Sequence, residues 1–286
     1  MKRYGYDKLF APLLNHLVEL ESENGLLATV GGQTVNLHGI VVAFSADNIG
    51  AHSLFSYLES FSANRFCRFC SAHKSQIQEK FHEKHFVDRT INDYDGDVKR
   101  CRDASYNPSN SGIKRGFILN SLKYFHCTQQ SVPDCMHDIC EGVGPYELEL
   151  ILDSLITKQF ITLELVNQRI SEFNYSLSDR NSKPSELCLP HMRLQAAEFW
   201  CLCRNLRLMI ASRIPRGDPH WQLLIKLLDC MSVIFAPTVT ANMADFLSYL
   251  VEEHHSLFKE LFPEKPLLLK HHFMIHYGAK ISSSDR

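Results

Sequence analysis

Apolar positions recur at helical spacing over residues 5–22, where Leu9, Phe10, Leu13, Leu14, Leu17 and Val18 predict an amphipathic helix. The run closes at Asn24-Gly25, a helix stop and turn. Leu26–Val30 and Thr34–Ser45 then read as two strands joined by Gly31-Gly32. The second contains Ile40-Val41-Val42-Ala43-Phe44, a continuous apolar run suited to a strand buried on both faces. A further helix is predicted from about Ala51 to Ser62. Residues 71–116 break the pattern. Between Lys74 and Asp103 acidic and basic side chains are equally numerous, and Asn107-Pro108-Ser109-Asn110-Ser111-Gly112 closes the stretch. It reads as a solvated, loop-rich excursion with short helices at most. From about 133 onward the period is helical throughout: Cys135–Lys158, Leu163–Phe173, Met192–Ile214, His220–Phe235 and Ala241–Phe262. Prolines and Gly217 separate these segments, and Pro219 and Pro266 stand where a first helical turn begins.

The pattern implies an α+β chain in three stretches: a small α/β piece with a CxxC over 1–72, the polar excursion over 73–131, and a helical domain over 132–286. Composition narrows the partners. The net charge of -2 in 286 residues argues against a basic-arm nucleic-acid binder. No apolar run is long enough to span a bilayer, and MKRYGYDKLF lacks the apolar stretch of a secretory signal. A nuclear or cytoplasmic chain is the expectation, in which ten cysteines read as thiols or metal ligands rather than disulfides.

Four groups of residues could carry chemistry. Asp47 follows the apolar run Ile40–Phe44, where acids of sheet-based sites stand. The same residue type caps a following helix. Cys67-Arg68-Phe69-Cys70 has the spacing that lets two thiolates reach one tetrahedral zinc ion. In Lys270-His271-His272-Phe273-Met274-Ile275-His276-Tyr277, two imidazoles could complete a Cys2His2 site. His272 and His276 share a helix face at i,i+4, whereas His271 with His276 needs a bent turn. Such a joint site would tie the α/β piece to the end of the helical half. Asp134-Cys135-Met136-His137-Asp138-Ile139-Cys140-Glu141-Gly142 starts a helix, with Asp134 as its expected cap and His137 and Glu141 one turn apart. Two decoys fall away. Asp93-Tyr94-Asp95-Gly96-Asp97 opens like a calcium loop, but Val98 and Ala104 stand where a glycine and a bidentate acid are required. Cys201-Leu202-Cys203 lies within an apolar helix and reads as core.

The order of these groups resembles a family. Ala46-Asp47-Asn48-Ile49-Gly50-Ala51-His52-Ser53 leads into Glu59-Ser60-Phe61 and Cys67-Arg68-Phe69-Cys70. Pro133-Asp134-Cys135-Met136-His137-Asp138 with Glu141-Gly142-Val143 follows, then Lys270-His271-His272-Phe273 with His276-Tyr277. The set is similar to the transposases of animal CACTA-type (En/Spm-like) elements, relatives of the Transib and RAG recombinases. The resemblance implies an RNase H-like α/β core, incomplete here, interrupted by a large all-helical insertion over roughly 105–265. It implies three acids holding two Mg(II) ions for DNA cleavage and strand transfer, with Asp47 as the second acid. It implies a structural Zn(II) on Cys67, Cys70 and His276, with His271 the partner on the family's spacing and His272 the partner on helix geometry. The partners implied are terminal-repeat DNA and an intact transposase or a second copy, with no membrane. Asp134, His137 and Glu141 belong to a family marker to which no chemistry is assigned. The first and third acids are not matched by any residue of this sequence. The expectation is therefore a transposon-derived, truncated chain that does not cleave DNA by itself, since one carboxylate does not fix two Mg(II) ions. The alternative is a zinc-stabilised DNA-binding or protein-interaction module without catalysis.

Overall fold

The computed structural model describes residues 5–59 and 63–284; Ser60 and Phe61 of the sequence blocks lie outside the described residues. The chain is α+β, dominated by helix, with one two-stranded sheet. It divides into two compact units: residues 1–76 with 86–134, and residues 77–85 with 135–286.

The first unit begins with helix α1 (Gly5–Glu21), which carries Pro12 within it and turns Phe10, Leu14 and Leu17 toward the core while Leu9 and Leu13 stay exposed. Strands β1 (Leu26–Val30) and β2 (Gln33–Leu37) pair antiparallel, Leu26 opposite Leu37 and Val30 opposite Gln33. Gly31 and Gly32 make the two-residue turn with φ of 60° and 81°, the left-handed pair that matches the twist of a hairpin and that glycine adopts without strain.

The apolar run after β2 departs from the sequence expectation. Ile40–Ala43 form no ladder, and Ile40 and Val42 are 53% and 75% exposed. Only Phe44 is bridged, parallel to Ser131: its N–H donates to the Gln130 carbonyl at 2.8 Å, and Val132 N–H donates to the Phe44 carbonyl at 3.3 Å. Phe44 itself joins Phe10, Phe55, Phe117 and Phe125 in a cluster of edge-to-face rings, the closest pair being Phe44 and Phe55 at 5.2 Å. One large ring thus anchors a segment whose neighbouring Val and Ile residues gain little from it. Helix α2 (Asn48–Leu54) follows, shorter than expected, then helix α3 (Ile91–Arg100). The latter covers Asp93–Asp97, which the sequence placed in a solvated excursion. Thr90 starts it with a full capping box, its hydroxyl accepting from Asp93 N–H while the Asp93 carboxylate accepts from Thr90 N–H. Tyr94 then plugs into the core and donates to the Phe55 carbonyl at 2.8 Å. The short helix α4 (Cys127–Gln130) leads to the end of this unit.

The second unit is all helix. A π-helical segment (Met136–Val143) runs into α5 (Gly144–Thr157), followed by α6 (Leu163–Glu172), α7 (Ala196–Ile210), α8 (Pro219–Ile234), α9 (Ala241–Leu261), α10 (Leu269–Met274) and α11 (Tyr277–Ser284). Their buried positions fall at the three- and four-residue steps that one helix face requires: Leu148, Ile151, Leu152 and Leu155 on α5; Phe199, Leu202, Leu206 and Ile210 on α7; Leu224, Leu227 and Met231 on α8; Leu247, Val251 and Phe258 on α9. Helix α8 packs on α5 and α9, and α9 on α11. Starts are capped as the sequence implies. Thr162 accepts from Leu165 N–H at 3.1 Å, and Asp218, ahead of Pro219, accepts from His220 and Trp221 N–H at 3.0 and 3.1 Å. Pro266 lies before α10 rather than in its first turn. Cys201 and Cys203 are core residues, and none of the ten cysteines is in a disulfide. Among the described residues no helix is long and apolar enough to cross a membrane.

One close helix approach in this unit is made by Gly144, where an added Cβ would run into the Phe199 ring and stand 2.8 Å from the Ile139 carbonyl oxygen. Gly144→Ala gains ~1 kcal/mol of helix propensity, but overpacking a buried ring costs ~1–3 kcal/mol. A net loss of thermal stability is expected in a melting experiment, with part of it recovered in the double variant Gly144→Ala/Phe199→Leu. An unchanged melting temperature for Gly144→Ala contradicts this packing.

Candidate metal centre

The CxxC lies in a buried turn. Cys67 and Cys70 are 0% exposed, and Arg68 between them is 1% exposed. Phe69 N–H donates to Cys67 Sγ at 3.3 Å and Ala72 N–H donates to Cys70 Sγ at 3.4 Å, so both sulfurs are acceptors of backbone hydrogen bonds. The turn is clamped from outside by Arg89, whose Nε donates to the carbonyls of Cys67 and Cys70 at 2.8 and 3.0 Å. From inside, Arg68 donates to the Asn48 side chain at 2.7 Å, to Ser131 Oγ at 3.2 Å and to the Val132 carbonyl at 3.1 Å. Burial, with the hydrogen bond and charge of neighbouring Cys67, pushes the Cys70 thiol far above its ordinary range. A thiol raised in this way stays protonated, and a coordinated metal ion removes the proton outright.

The imidazoles lie on α10 and the turn after it. His272 is 3% exposed and His276 is 0% exposed. His276 Nδ1–H donates to the Glu83 carboxylate at 2.6 Å, and in a neutral imidazole so held Nε2 is the atom open to a metal ion. That Nε2 is 3.4 Å from Nε2 of His272. Two nitrogens bound to one tetrahedral zinc ion by bonds of ~2.05 Å lie ~3.3–3.4 Å apart. The spacing is that of a ligand pair, and the carboxylate behind His276 is the outer partner that orients a metal-binding histidine.

The candidate donor atoms of Cys67, Cys70, His272 and His276 all lie within 4.8 Å of one another, and all four residues are buried; this group could hold a metal ion such as zinc. Two soft sulfurs and two imidazole nitrogens are a donor set that zinc takes. His271, the family-spacing choice, lies outside the group. The His272 and His276 rings meet across the joint between α10 and α11, whereas the His271 ring is engaged elsewhere.

His271 belongs to a second buried network. Its Nδ1 accepts from Leu268 N–H at 3.0 Å, so its Nε2 carries the proton and donates to Glu147 Oε1 at 2.8 Å. His255 Nε2 donates to the His271 carbonyl at 2.9 Å. Burial, and the charges of His254 and His271, push the His255 imidazole well down, so its Nδ1 is an acceptor. The 3.0 Å contact between the Nδ1 atoms of His254 and His255 then requires His254 to donate there, while His254 Nε2 donates to Glu147 Oε2 at 2.7 Å. Both nitrogens of His254 therefore donate. Burial pushes the Glu147 carboxyl up, but His254 and His271 outweigh it and hold it at about 2. The result is a fully paired carboxylate at 0% exposure between three helices, α5, α9 and α10.

The remaining predicted site residues are placed as follows. Asp47 is exposed and caps α2, its Oδ1 accepting from Gly50 N–H at 2.6 Å. His137 and Glu141 approach to 3.7 Å on the surface. The helical segment beyond Asp134 starts with no side-chain cap bond. Sequence reasoning passed over Glu83, Glu147, His254 and Lys270. A signal was present for two of them: Glu147 lies one turn before Ile151 and His254 three residues after Val251, so both polar residues fall on apolar helix faces. Glu83 sits in a charge-dense stretch with nothing to distinguish it.

Glu147→Ala leaves two buried imidazole N–H groups without their acceptor, which costs ~1–3 kcal/mol for each. Because the Glu147 carboxyl is lowered from 4.5 to about 2 on folding, its contribution is complete above the unfolded value and is lost as pH falls from 4.5 toward 2. Urea unfolding of the wild type should weaken across that window, and the weakening should be smaller in Glu147→Ala. Equal acid sensitivity of the two proteins contradicts the ion pair.

In comparison with known proteins, no family model and no curated protein matches the chain.

Proposed function

We propose that this chain is a zinc-binding protein derived from a DDE-type DNA transposase of the CACTA kind, with Cys67, Cys70, His272 and His276 as ligands of one structural zinc ion. The observation that carries the metal part is the gathering of these four buried donors within 4.8 Å. Support for the ancestry comes from the order of the sequence blocks, two of which supply those donors. Asp47 takes the position of the second catalytic acid in this reading, and a parallel-bridged Phe44 three residues before it fits a strand end leading to a site. An RNase H-like core and ancestral Mg(II) chemistry belong to the same proposal, with DNA ends and an intact transposase or a second copy as partners. Zinc here would supply no chemistry on a substrate. The four side chains would be held as thiolates and neutral imidazoles, and the metal would fix the turn and the helix that carry them.

One observation favours a second reading, a zinc-stabilised module that binds DNA or protein without catalysis. Asp47 spends one carboxylate oxygen on the Gly50 N–H, as an ordinary helix cap does. Both readings share the zinc site.

Metal analysis of the purified chain tests the shared part. About one zinc per chain is expected, with Cys67→Ser losing both the metal and thermal stability. A wild-type chain folded without zinc overturns the proposal. Strand cleavage of terminal-repeat DNA with Mg(II) or Mn(II) tests the catalytic part: no turnover is expected from this chain alone, and turnover abolished by Asp47→Ala refutes that expectation.

A further inference from the structure

The block Asp134–Val143 has no assigned role, yet its backbone departs from a regular α-helix. Met136–Val143 is wound as a π-helix, with Glu141 at φ -118°, ψ 19°, outside the helical region. Such insertions cost stability and recur at functional sites. Here the irregular turn presents two carbonyls to one side chain. Lys270 Nζ donates to the carbonyl of His137 at 2.7 Å and to that of Glu141 at 3.2 Å. The approach needs glycine at 142, where a Cβ would run into Lys270 Cδ and stand 3.0 Å from both Lys270 Nζ and the His137 carbonyl oxygen. A second tie comes from the same segment. Asp138, 0% exposed, accepts from the Tyr277 hydroxyl at 2.8 Å.

These two ties bracket the imidazole pair. Lys270 is two residues before His272, and Tyr277 is the residue after His276. Between them α10 ends at Met274 and α11 starts at Tyr277, so the His272–His276 spacing spans a joint rather than a continuous helix. A third clamp fixes the approach to α10. The Gln78 side-chain amide donates to the Leu267 carbonyl and accepts from Leu267 N–H, both at 2.9 Å.

We propose that the π-helical segment Met136–Val143 is the seat that sets the ligand geometry of the metal centre, with Lys270, Asp138 and Tyr277 as positioning residues for His272 and His276. This rests on the reading of those histidines as zinc ligands. The π-helical turn presents two carbonyls to Lys270, and these bonds hold the ligand helix in register before metal arrives. Preorganised ligands bind metal more tightly because less order is imposed at binding, and loss of an outer partner commonly weakens affinity ~10–100-fold.

The test is zinc affinity of the full chain by chelator competition, with the Co(II) absorption spectrum and the melting temperature recorded alongside. Lys270→Met and Tyr277→Phe are compared with Thr162→Ala, which removes the cap of α6 and touches none of the ties. Both positioning variants should bind zinc ~10-fold or more weakly with an altered Co(II) spectrum. Thr162→Ala should lower the melting temperature and leave affinity and spectrum unchanged. Wild-type affinity in both positioning variants overturns the proposal, as does an equal loss of affinity in Thr162→Ala. If Lys270→Met does not fold, Tyr277→Phe, which removes one hydroxyl, decides the matter. A wild-type chain that takes up no zinc instead overturns the metal reading itself, a result separate from equal binding by wild type and variants.

Discussion

A polar group taken out of water must be matched inside the protein, and helix α10 with the residues after it carries four side chains under that constraint. His271, His272, His276 and Tyr277 are each at or below 3% exposure. An unmatched donor or acceptor at such depth costs ~1–3 kcal/mol, and an unmatched charge more. Each partner is therefore specified: Glu147 for His271, Glu83 for His276, Asp138 for Tyr277, and two carbonyls of an irregular turn for the neighbouring Lys270. These partners come from the segment before the helical unit and from its first two elements. The constraint thus explains why residues 77–85 pack with helices that follow more than fifty residues later.

The same constraint separates two kinds of buried polar cluster. Around Glu147 every hydrogen-bonding demand closes on protein atoms, with one carboxylate balanced by His254. That network needs nothing further and acts as a structural rivet. In the His272–His276 pair, Nδ1 of His276 meets Glu83 and its Nε2 lies 3.4 Å from Nε2 of His272, the separation of two ligands on one ion. A shared cation turns that contact into two bonds. Burial holds the Cys70 thiol well above its ordinary range, and a coordinated metal ion would stabilise the thiolate there. Asp47, by contrast, sits exposed at a helix start where its carboxylate already has a local partner.

Much of the helical unit was legible in the sequence. Three-four spacing of Leu, Ile and Phe gave α5 through α9 within a few residues, because amphipathic burial is the force that forms them. The Gly31-Gly32 hairpin was legible for the same kind of local reason. Ile40–Phe44 was not. A continuous apolar run is compatible with a buried strand, but whether it pairs is a property of distant backbone, and only Phe44 finds Ser131. Helix α3 was hidden by its charges, since its stability comes from the Thr90–Asp93 box and from Tyr94 in the core rather than from an apolar stripe. At the metal centre, Cys67, Cys70 and His276 were legible from spacing and resemblance. The choice between His271 and His272 was left open by the sequence, family spacing favouring His271; the group that could hold a metal contains His272. Glu83 and Gln78 were out of reach, because outer partners are chosen by three-dimensional proximity and leave no spacing rule.

The central claim is that two sulfurs and two imidazole nitrogens share one zinc ion. X-ray absorption at the zinc edge of the purified chain addresses it most directly, because it reads ligand type and distance together. The account predicts a first shell of two sulfurs at ~2.3 Å and two nitrogens at ~2.0–2.1 Å. A shell of oxygen and nitrogen only, or four sulfurs, would contradict it.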